Sequence, residues 1–572
     1  MLQREGNLEL SALDGHLTAT LQVPGLRIGD ELEFAATVRG RDPTLGDRSF
    51  GAFQMPPVGL PGAYRTRLLW PESKPIKWRA TPDLPALTPK VDKGLKELVY
   101  ELRDPESVIV ADGAPARVNL RRFVEYSEFS SWGDVSHRIW PLFDRASALA
   151  ADSPVRAEAA RIAAATADPA ERVEAALRLV QDRIRYVYVG LDGGNYLSAS
   201  ADETWQRRFG DCKGKTALLL ALLRELGVPG EPVLVNTAGG DGTDERLPNP
   251  ALFNHVLVRV VLDGQAYWLD GTRLGDQYLE VLPAPDFRWA LPLRAGAVDL
   301  EKVPASAPDL PQLISVLEID GSAGIDRPAK VKARHVLRGT DVQQMRTALA
   351  GMPAADADRA VRAYWRERAS WVEPEEVSWR FEEKQGAIVL AMTGEGKLDW
   401  EGDEEDGRWL DIPGAGFSPP AEFRRPKEQD QAAPWLTDFP AYRCWATTIK
   451  LPPATGRWGW DYAAAPVDEY LGGTAYWRVA GLRDNVMRTI MSRRVDTPEI
   501  SSAEARDVNR RLPDFDNNIS RIFQREGLRG RIRPSLPDAA STLPEGEIDW
   551  AGASVPCAAP VTVRVVTTEE AG

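Results

Sequence analysis

The pattern of apolar and polar positions divides the chain into β-rich and helix-rich stretches. Before about residue 135, short segments with partial apolar–polar alternation are separated by Gly, Pro and Asp, which is typical of antiparallel strands: HLTATLQV, ELEFAATV, YRTRLLW and ELVYEL. After residue 310, similar segments return: LISVLEID, KVKARHVL, AIVLAM, CWATTIKL and AYWRVAG. Helical insertions are predicted near 341–369 and 502–524, and a loop over 402–438.

The middle of the chain has a different pattern. Ser153-Pro154 and Asp168-Pro169 each place a capping residue before a proline, which is a typical helix start. The leucine-rich run over 217–226 is apolar around nearly its whole circumference and predicts a buried central helix. Three strands are predicted after it, the last two joined by a tight Asp263-Gly264 turn: EPVLVNT, HVLVRVVL and QAYWLD.

These patterns predict a multidomain α+β protein with four parts. A β-rich N-terminal domain spans 1–140, an α+β core spans 150–305, and a second β-rich domain with helical insertions spans 306–526. A Pro- and Ala-rich tail follows over 527–572, with one further strand expected at VTVRVV. The two β-rich domains are expected to be sandwich-like.

The charge and hydropathy of the chain argue against some classes of binding partner. The net charge of −14, without a basic stripe, argues against a general nucleic-acid binder or a binder of anionic membranes. No apolar run approaches the roughly 20 residues of a membrane span. The N-terminus MLQREGNLEL contains no apolar signal core, so the chain as given is expected to be cytoplasmic. The oligomeric state is left open.

Cysteines and histidines are few enough to weigh one by one. Cys444 and Cys557 are interpreted as structural, and no cysteine has the close spacing of a zinc site. Three of the four histidines are given no functional role: His16, His137 and His335. Cys212 differs because it starts the buried helix, where the macrodipole favours a thiolate and backbone N–H groups can hold an oxyanion.

His255 and Asp270 are predicted to meet through the hairpin register. If Asp263-Gly264 is a two-residue loop, Asp270 lies diagonally across from His255 on the same sheet face, within reach of the imidazole. A histidine held by a carboxylate and facing a thiol is a nucleophile–base–orienter arrangement. Each of the three residues also has an ordinary structural interpretation. A lone cysteine is usually an inert core residue, His255 can be interpreted as a core histidine, and Asp270 as part of a turn.

The segment GDCKGKT also resembles a phosphate-binding loop. It has three residues between its glycines where that motif has four, and no apolar strand precedes it. Nucleotide binding is therefore a weak third hypothesis.

The residues quoted above resemble a known family. The stretches RRFGDCKGKTALLLALLRELGVP and FNHVLVRVVLDGQAYWLDGT are similar to the core of bacterial transglutaminase-like proteins. That resemblance implies a papain-like fold with a Cys-bearing helix on an antiparallel sheet, and Cys212, His255 and Asp270 as nucleophile, base and orienting residue. The flanking stretches VPGLRIGDELEFAATV and VEYSEFSSWGDVSHRIWPLFDRA resemble an uncharacterised β-rich domain that often precedes this core. Relatives usually begin earlier, often with a secretion signal, which implies export to the periplasm as the alternative location.

The leading hypothesis is thiol acyl transfer on a peptide or protein amide, as a peptidase, amidase or transglutaminase. Hydrolysis is slightly favoured because no dedicated amine site is visible, and no metal or organic cofactor is required. The alternative is a scaffold or binding module that uses the flanking β-rich domains. The roles of Tyr196 and Trp205, upstream of the cysteine, stay open between cleft lining and core packing.

Overall fold

The computed structural model describes most of the chain: residues 2–3, 17–18, 22–37, 43–188, 196–282, 286–296, 298–414, 417–515, 520–527, 548–552 and 554–557. It forms two compact units, one of residues 1–111 with 115–304 and the other of residues 112–114 with 305–572. His16, half of the predicted strand HLTATLQV and the predicted strand VTVRVV lie outside the described residues.

The first unit contains short strands and five helices within its described residues. Its strands are β1 (Leu2–Gln3), β2 (Leu17–Thr18), β3 (Phe50–Gln54), β4 (Ala63–Pro71), β5 (Lys77–Ala80), β6 (Lys90–Asp92), β7 (Leu95–Arg103), β8 (Phe123–Ser127), β9 (Arg185–Tyr186), β10 (Phe209–Gly210), β11 (Gly230–Val235), β12 (His255–Leu262), β13 (Gln265–Leu269), β14 (Trp289–Pro292) and β15 (Glu301–Lys302). Its helices are α1 (Trp132–Ala146), α2 (Pro154–Ala165), α3 (Pro169–Arg183), α4 (Ala201–Arg207) and α5 (Cys212–Glu225).

The N-terminal part of this unit is β-rich, as predicted. Two antiparallel three-stranded sheets have the orders β3-β8-β5 and β4-β7-β6. Tyr100 of β7 and Val124 of β8 share one apolar cluster, so the sheets pack on each other. The strand predicted at ELEFAATV was wrong over its described residues, 31–37. These residues are exposed and have no strand conformation. Alternation alone does not form a strand without a hydrogen-bonded neighbour.

Helix α5 is the centre of the first unit, as the leucine-rich run predicted. Every residue from Cys212 to Leu223 is buried. The helix packs on an antiparallel sheet of order β13-β12-β11-β14-β15 and is surrounded by α1 to α4. The predicted helix starts are confirmed, because the side chains of Ser153 and Asp168 cap α2 and α3.

Helix α1 was not predicted. Its apolar residues Val135, Ile139 and Phe143 recur at helical spacing and are buried in the same cluster as Cys212. Ser131 caps the helix by accepting a hydrogen bond from the Asp134 backbone N–H. In the sequence, the neighbouring strand patterns and the internal Pro141 obscure this periodicity.

The second unit has longer strands and three helices within its described residues. Its strands are β16 (Leu313–Asp320), β17 (Ala329–Leu337), β18 (Val372–Glu382), β19 (Ala387–Gly396), β20 (Glu401–Asp403), β21 (Gly407–Asp411), β22 (Trp435–Leu436), β23 (Ala441–Lys450), β24 (Trp458–Ala463), β25 (Val467–Leu471), β26 (Thr474–Arg483), β27 (Val486–Val495), β28 (Glu499–Ile500) and β29 (Arg521–Glu526). Its helices are α6 (Thr340–Gly351), α7 (Ala354–Arg368) and α8 (Ser502–Arg511).

An eight-stranded sheet organises the second unit, in the order β18-β19-β17-β16-β23-β27-β26-β25. All its neighbours are antiparallel except β16 and β23, which run parallel. One face packs against α6, α7 and a second sheet of order β20-β21-β29-β24. The other face carries a cluster that includes Trp550 and the disulfide Cys444–Cys557.

The sequence interpretation of this unit was partly wrong. The helix predicted over 502–524 ends at Arg511, and residues 521–526 form strand β29 because they complete the second sheet between β21 and β24. The loop predicted over 402–438 contains β21 and β22. The insertion near 341–369 is confirmed as two helices, α6 and α7, with Pro353 between them. Within the described part of the chain, no helix is both long and apolar enough to cross a bilayer.

Candidate active site

Cys212 lies at the first position of α5. The chain reaches it through β10, which pairs in parallel with β9, and Asp211 then caps the helix by accepting a hydrogen bond from the Gly214 N–H at 2.9 Å. Cys212 is buried, with 1% of its surface exposed, in an apolar cluster of the first unit. It is the free cysteine of the chain, since Cys444 and Cys557 are joined to each other.

His255 and Asp270 are brought together by the predicted hairpin. Leu262 faces Gln265 across the Asp263-Gly264 turn, which is the register the sequence predicts. His255 begins β12, Asp270 directly follows β13, and His255 Nε2 lies 3.0 Å from Asp270 Oδ2. The predicted contact between the imidazole and the carboxylate is therefore present.

The second oxygen of Asp270 is held separately. Thr272 donates to Asp270 Oδ1 from its backbone N–H at 2.8 Å and from its hydroxyl at 2.7 Å. Gln181 donates to the Asp270 backbone carbonyl at 2.9 Å. Thr272 and Gln181 were not singled out from the sequence. The pattern of an Asp two residues before a Thr, typical of a local turn, could have indicated Thr272.

Electrostatics couple the three predicted residues. Burial alone would lower the pKa of His255, but the charge of Asp270 and hydrogen bonds with Asp270 and Cys212 raise the pKa above its ordinary value. Burial would raise the pKa of Asp270, but the charge and hydrogen bond of His255, with those of Thr272, lower it. The arrangement favours an imidazolium next to an ionised carboxylate, with the Cys212 sulfur in hydrogen-bonding contact with the ring.

The aromatic residues near the site differ in position. Tyr186, on β9, is partly exposed, and burial together with the negative charges of Cys212 and Asp270 raises its pKa, so it is a neutral phenol. Tyr196 is buried in the same apolar cluster as Cys212. Trp205 packs in a different cluster, around the leucines of α5, and the Arg208 guanidinium lies 3.8 Å from the centre of its ring. Trp205 is a core residue.

The two lysines of GDCKGKT point into the protein. Lys213 forms an ion pair with Asp211, and Lys215 Nζ donates to the Ile184 carbonyl oxygen. Both side chains are buried, which leaves neither ammonium positioned like the lysine of a phosphate loop. Among the residues that the structure describes, no group of three or more His, Cys, Asp or Glu has the arrangement of a metal site.

Comparison with known families finds two matches along the chain. Residues 156–270 match the family described as the transglutaminase-like superfamily, and residues 1–109 match a domain of unknown function, DUF3857. The chain contains a transglutaminase-like domain. Cys212, His255 and Asp270 all lie in the stretch that matches it.

Comparison of the transglutaminase-like chain with curated proteins finds no match. Two solved structures are similar to it. A "putative protease" from Parabacteroides distasonis is 11% identical with a TM-score of 0.45, over 83% of this chain and 76% of that one. A "putative cysteine protease" from Cytophaga hutchinsonii is 14% identical with a TM-score of 0.18, over 39% of this chain and 71% of that one. Neither similarity bears on the chemistry of this chain.

Proposed function

We propose that the transglutaminase-like domain is a thiol-dependent acyl-transfer enzyme acting on peptide or protein amides. Cys212 is the nucleophile, His255 the general base and acid, and Asp270 the residue that orients the imidazole. The observation that carries the proposal is the 3.0 Å contact of His255 with Asp270 while the same ring contacts the Cys212 sulfur.

The reaction follows from these contacts. The Cys212 thiolate attacks the amide carbonyl carbon, and the electron pair of the C=O bond moves to oxygen. The His255 imidazolium then gives its proton to the amide nitrogen as the C–N bond breaks, leaving a thioester on Cys212 and a free amine. Neutral His255 takes a proton from the incoming acceptor, the acceptor attacks the thioester, and the thiolate–imidazolium pair is restored.

The start of α5 offers a place for the developing oxyanion. The first N–H groups of a helix have no intrahelical acceptor, and the Asp211 side chain accepts a hydrogen bond from Gly214. In this proposal, the backbone N–H of Cys212 is the oxyanion donor beside its own sulfur. An oxyanion donor of this type is worth about 100- to 1000-fold in rate.

Burial of the nucleophile sets a condition on the reaction. Cys212 is 1% exposed and His255 is 6% exposed, so the packed side chains around Cys212 must move before a carbonyl carbon can reach the sulfur. The same burial favours the alternative function, in which the domain is a non-catalytic scaffold with an inert thiol. The two functions differ in whether His255 activates Cys212.

The acyl acceptor is proposed to be water. A transamidation reaction needs a bound amine, whereas water is always available to a thioester. Incubation of a peptide substrate with a primary amine distinguishes the two outcomes, because hydrolysis releases the acid and transamidation yields the amide of the added amine.

The experiment that tests the proposal is alkylation of Cys212 by iodoacetamide as a function of pH, in wild type and His255→Ala. We expect alkylation below about pH 7 in wild type and about 100-fold slower alkylation in the variant, because an ordinary thiol is only about 1% ionised two units below its pKa of about 8.5. Disulfide pairing of the other two cysteines makes the readout specific to Cys212.

His137→Ala is the matched control, because His137 is an exposed residue of α1. It should alkylate at the wild-type rate. If wild type, His255→Ala and His137→Ala all share one profile that rises only near pH 8.5, the acyl-transfer proposal is rejected and the scaffold function is supported.

A further inference from the structure

The loop between β11 and β12, residues 236–254, leads directly into His255. Near its end, Phe253 is buried in the same apolar cluster as Cys212. The Phe253 ring also meets the ring of Trp132, on α1, edge-on at a centroid distance of 5.7 Å. The β11–β12 loop therefore supplies part of the apolar packing around the proposed nucleophile.

Hydrogen bonds join the two ends of the β11–β12 loop. The side-chain amide of Asn236 donates to the Leu252 carbonyl oxygen at 2.9 Å. Asn254 Oδ1 accepts a hydrogen bond from the Thr237 backbone N–H, also at 2.9 Å. Because its ends are joined, whatever holds the middle of the loop also holds the residues next to His255.

The middle of the β11–β12 loop is attached to the β-rich N-terminal part of the first unit. Arg246 Nε donates to Glu125 Oε2 at 2.8 Å. The Ser127 hydroxyl donates to the Pro248 carbonyl oxygen at 2.6 Å. Glu125 and Ser127 both lie on β8, so this strand holds the loop at two points.

The tip of the β11–β12 loop is held at a third point. Asp241 accepts two hydrogen bonds from Arg117, one from the guanidinium at 2.6 Å and one from the backbone N–H at 3.0 Å. Gly242 follows with a φ of +72°, and a Cβ added to it would lie 2.6 Å from Arg117 Cβ. The backbone of the tip therefore lies directly against Arg117.

Glu125 is a buried carboxylate that lies between two arginines. It is 2% exposed, with Arg79 Nε of the directly opposed position on β5 at 3.1 Å from Oε1 and Arg246 of the loop at the other oxygen. The Arg246 guanidinium also lies 4.6 Å from the centre of the Phe123 ring. Buried ion pairs contribute little to stability on average, because desolvation offsets their attraction, and their best-attested use is to fix a register or a switch. Arg79 belongs to the same sheet as Glu125, whereas Arg246 joins the loop to that sheet.

The N-terminal part also packs beside Cys212 directly. Leu45 precedes β3, Phe129 follows β8, and both are buried in the cluster that contains Cys212. Phe50, on β3, packs against the same cluster. The N-terminal part therefore contributes to the burial of Cys212 both by its own side chains and through the loop that it holds.

We propose that the β-rich N-terminal part inhibits the active site by holding the β11–β12 loop against the cluster of Cys212, and that release of Arg246 from Glu125 opens the site to a peptide substrate. As the regulation of a reaction, this inference rests on the proposed function. Residues 236–254, all of which the structure describes, belong to no sheet. Opening the loop therefore breaks its contacts with β8 and Arg117 and leaves every strand pairing in place.

The test is alkylation of Cys212 by iodoacetamide at about pH 9, above the ordinary thiol pKa of about 8.5, where the rate reports access to the sulfur. The variant is Arg246→Met, which keeps an apolar stem over Phe123 and removes the charge that binds Glu125. We expect alkylation at least about tenfold faster than in wild type, because a hydrogen bond between charged groups changes an opening equilibrium by about that factor.

Arg79→Met is the matched control, because it removes the other cation of Glu125 and leaves the β11–β12 loop attached. Its alkylation rate should lie close to that of wild type. Equal acceleration in Arg79→Met and Arg246→Met would mean that any loosening of the N-terminal part exposes Cys212, and it would overturn the proposal. Equal rates in Arg246→Met and wild type would overturn it as well.

Asp241→Ala keeps the proposal testable if Arg246→Met does not fold. Asp241 is partly exposed, and its substitution removes both hydrogen bonds between the loop tip and Arg117. Alkylation of Cys212 should become faster by about fivefold, since charge-assisted hydrogen bonds of the closed loop are lost. A wild-type rate in this variant would contradict the proposal.

The proposed function is tested by a different comparison. It requires that rapid alkylation below about pH 7 be lost in His255→Ala, whereas the loop is tested at one pH at which an ordinary thiol is already ionised. Unchanged alkylation in Arg246→Met, with the His255 dependence intact, rejects the inhibition alone. If wild type lacks the His255 dependence, the proposed function is rejected, and the loop then covers an unreactive thiol and inhibits nothing.

Discussion

A histidine of each unit is withdrawn from solvent, His255 buried and His335 partly buried, and the two rings have opposite surroundings. His255 in the first unit faces a carboxylate at 3.0 Å, and its pKa is raised. His335 in the second unit contacts two hydroxyl groups, Tyr364 Oη at 2.6 Å and Ser315 Oγ at 3.0 Å. Burial, with the charge of Arg368, lowers the pKa of His335 to about 4.

The difference shows what a buried histidine needs in order to serve as a base. Burial penalises the imidazolium in both units, and at His255 the neighbouring carboxylate, with the Cys212 thiol, reverses the sign. His335 is a neutral core residue that packs 4.6 Å from the Trp365 ring, as the structural interpretation of this histidine predicted. A buried histidine near a hydroxyl is therefore a poor indicator of a catalytic site, and a buried histidine near a carboxylate and a thiol is a much better one.

The cysteines of the two units also have different surroundings. Cys212 is free and contacts a histidine, whereas Cys444 and Cys557 close a loop of the second unit with a sequence separation of 113 residues. The first site is suited to chemistry and the second to stability. Three changes test this contrast, from the largest expected effect to the smallest.

Removing the disulfide should destabilise the second unit and leave Cys212 unaffected. Closing a loop of this length lowers the conformational entropy of the unfolded chain, which raises the free energy of unfolding by about 5 kcal/mol in the chain-entropy model. In Cys557→Ser, with Cys444→Ser in the same chain, we expect faster hydrogen exchange in β23 by mass spectrometry. Alkylation of Cys212 should keep its wild-type profile. A changed alkylation profile of Cys212 together with unchanged hydrogen exchange in β23 would contradict the roles assigned to the two sites.

Acid should destabilise the second unit through His335. Its pKa is about 4 when folded and about 6.5 when unfolded, so between these values the unfolded chain binds the additional proton. The free energy of unfolding should therefore fall by about 3 kcal/mol as the pH drops from about 6.5 to about 4. Hydrogen exchange in β17 reports this loss. His335→Gln, which cannot gain that proton, should show a weaker pH dependence, and an unchanged dependence would contradict the assignment.

Neutralising Asp270 should lower the pH at which His255 loses its proton, and the alkylation profile of Cys212 reports that change. Asp270→Asn keeps the side-chain volume and removes the charge that raises the pKa of His255. The change in alkylation rate that accompanies proton loss from His255 should therefore occur at a pH lower by at least about one unit. Thr272→Val is the matched control, because it removes one hydroxyl donor and leaves the Asp270 charge in place, so its shift should be smaller. Equal shifts would show that the charge of Asp270 is not what tunes His255.

Local patterns predicted the hairpin register and the start of α5. The Asp263-Gly264 turn fixed the hairpin register, and that register placed Asp270 within reach of His255. The leucine-rich run predicted that Cys212 begins a buried helix. Each prediction depends on residues close together in the chain, where turn chemistry and side-chain periodicity act directly.

Non-local contacts account for what the sequence did not predict. Lys215 is oriented by a carbonyl 31 residues away, and the disulfide joins cysteines much farther apart. The sequence predicts helix where β29 lies, and the strand forms because it pairs with β21 and β24, which come earlier in the chain. No periodicity within a short window contains that information.

The parallel pairing of β16 with β23 has a consequence for how the second unit folds. Each half of the eight-stranded sheet is built mainly from neighbouring antiparallel strands, but the paired residues of β16 and β23 are about 130 residues apart. Contacts between near neighbours form quickly, and those that close a long loop form slowly. The nascent second unit should therefore pass through a stage with two half-sheets, each with an unpaired edge strand, and that stage is when the chain is most vulnerable to aggregation.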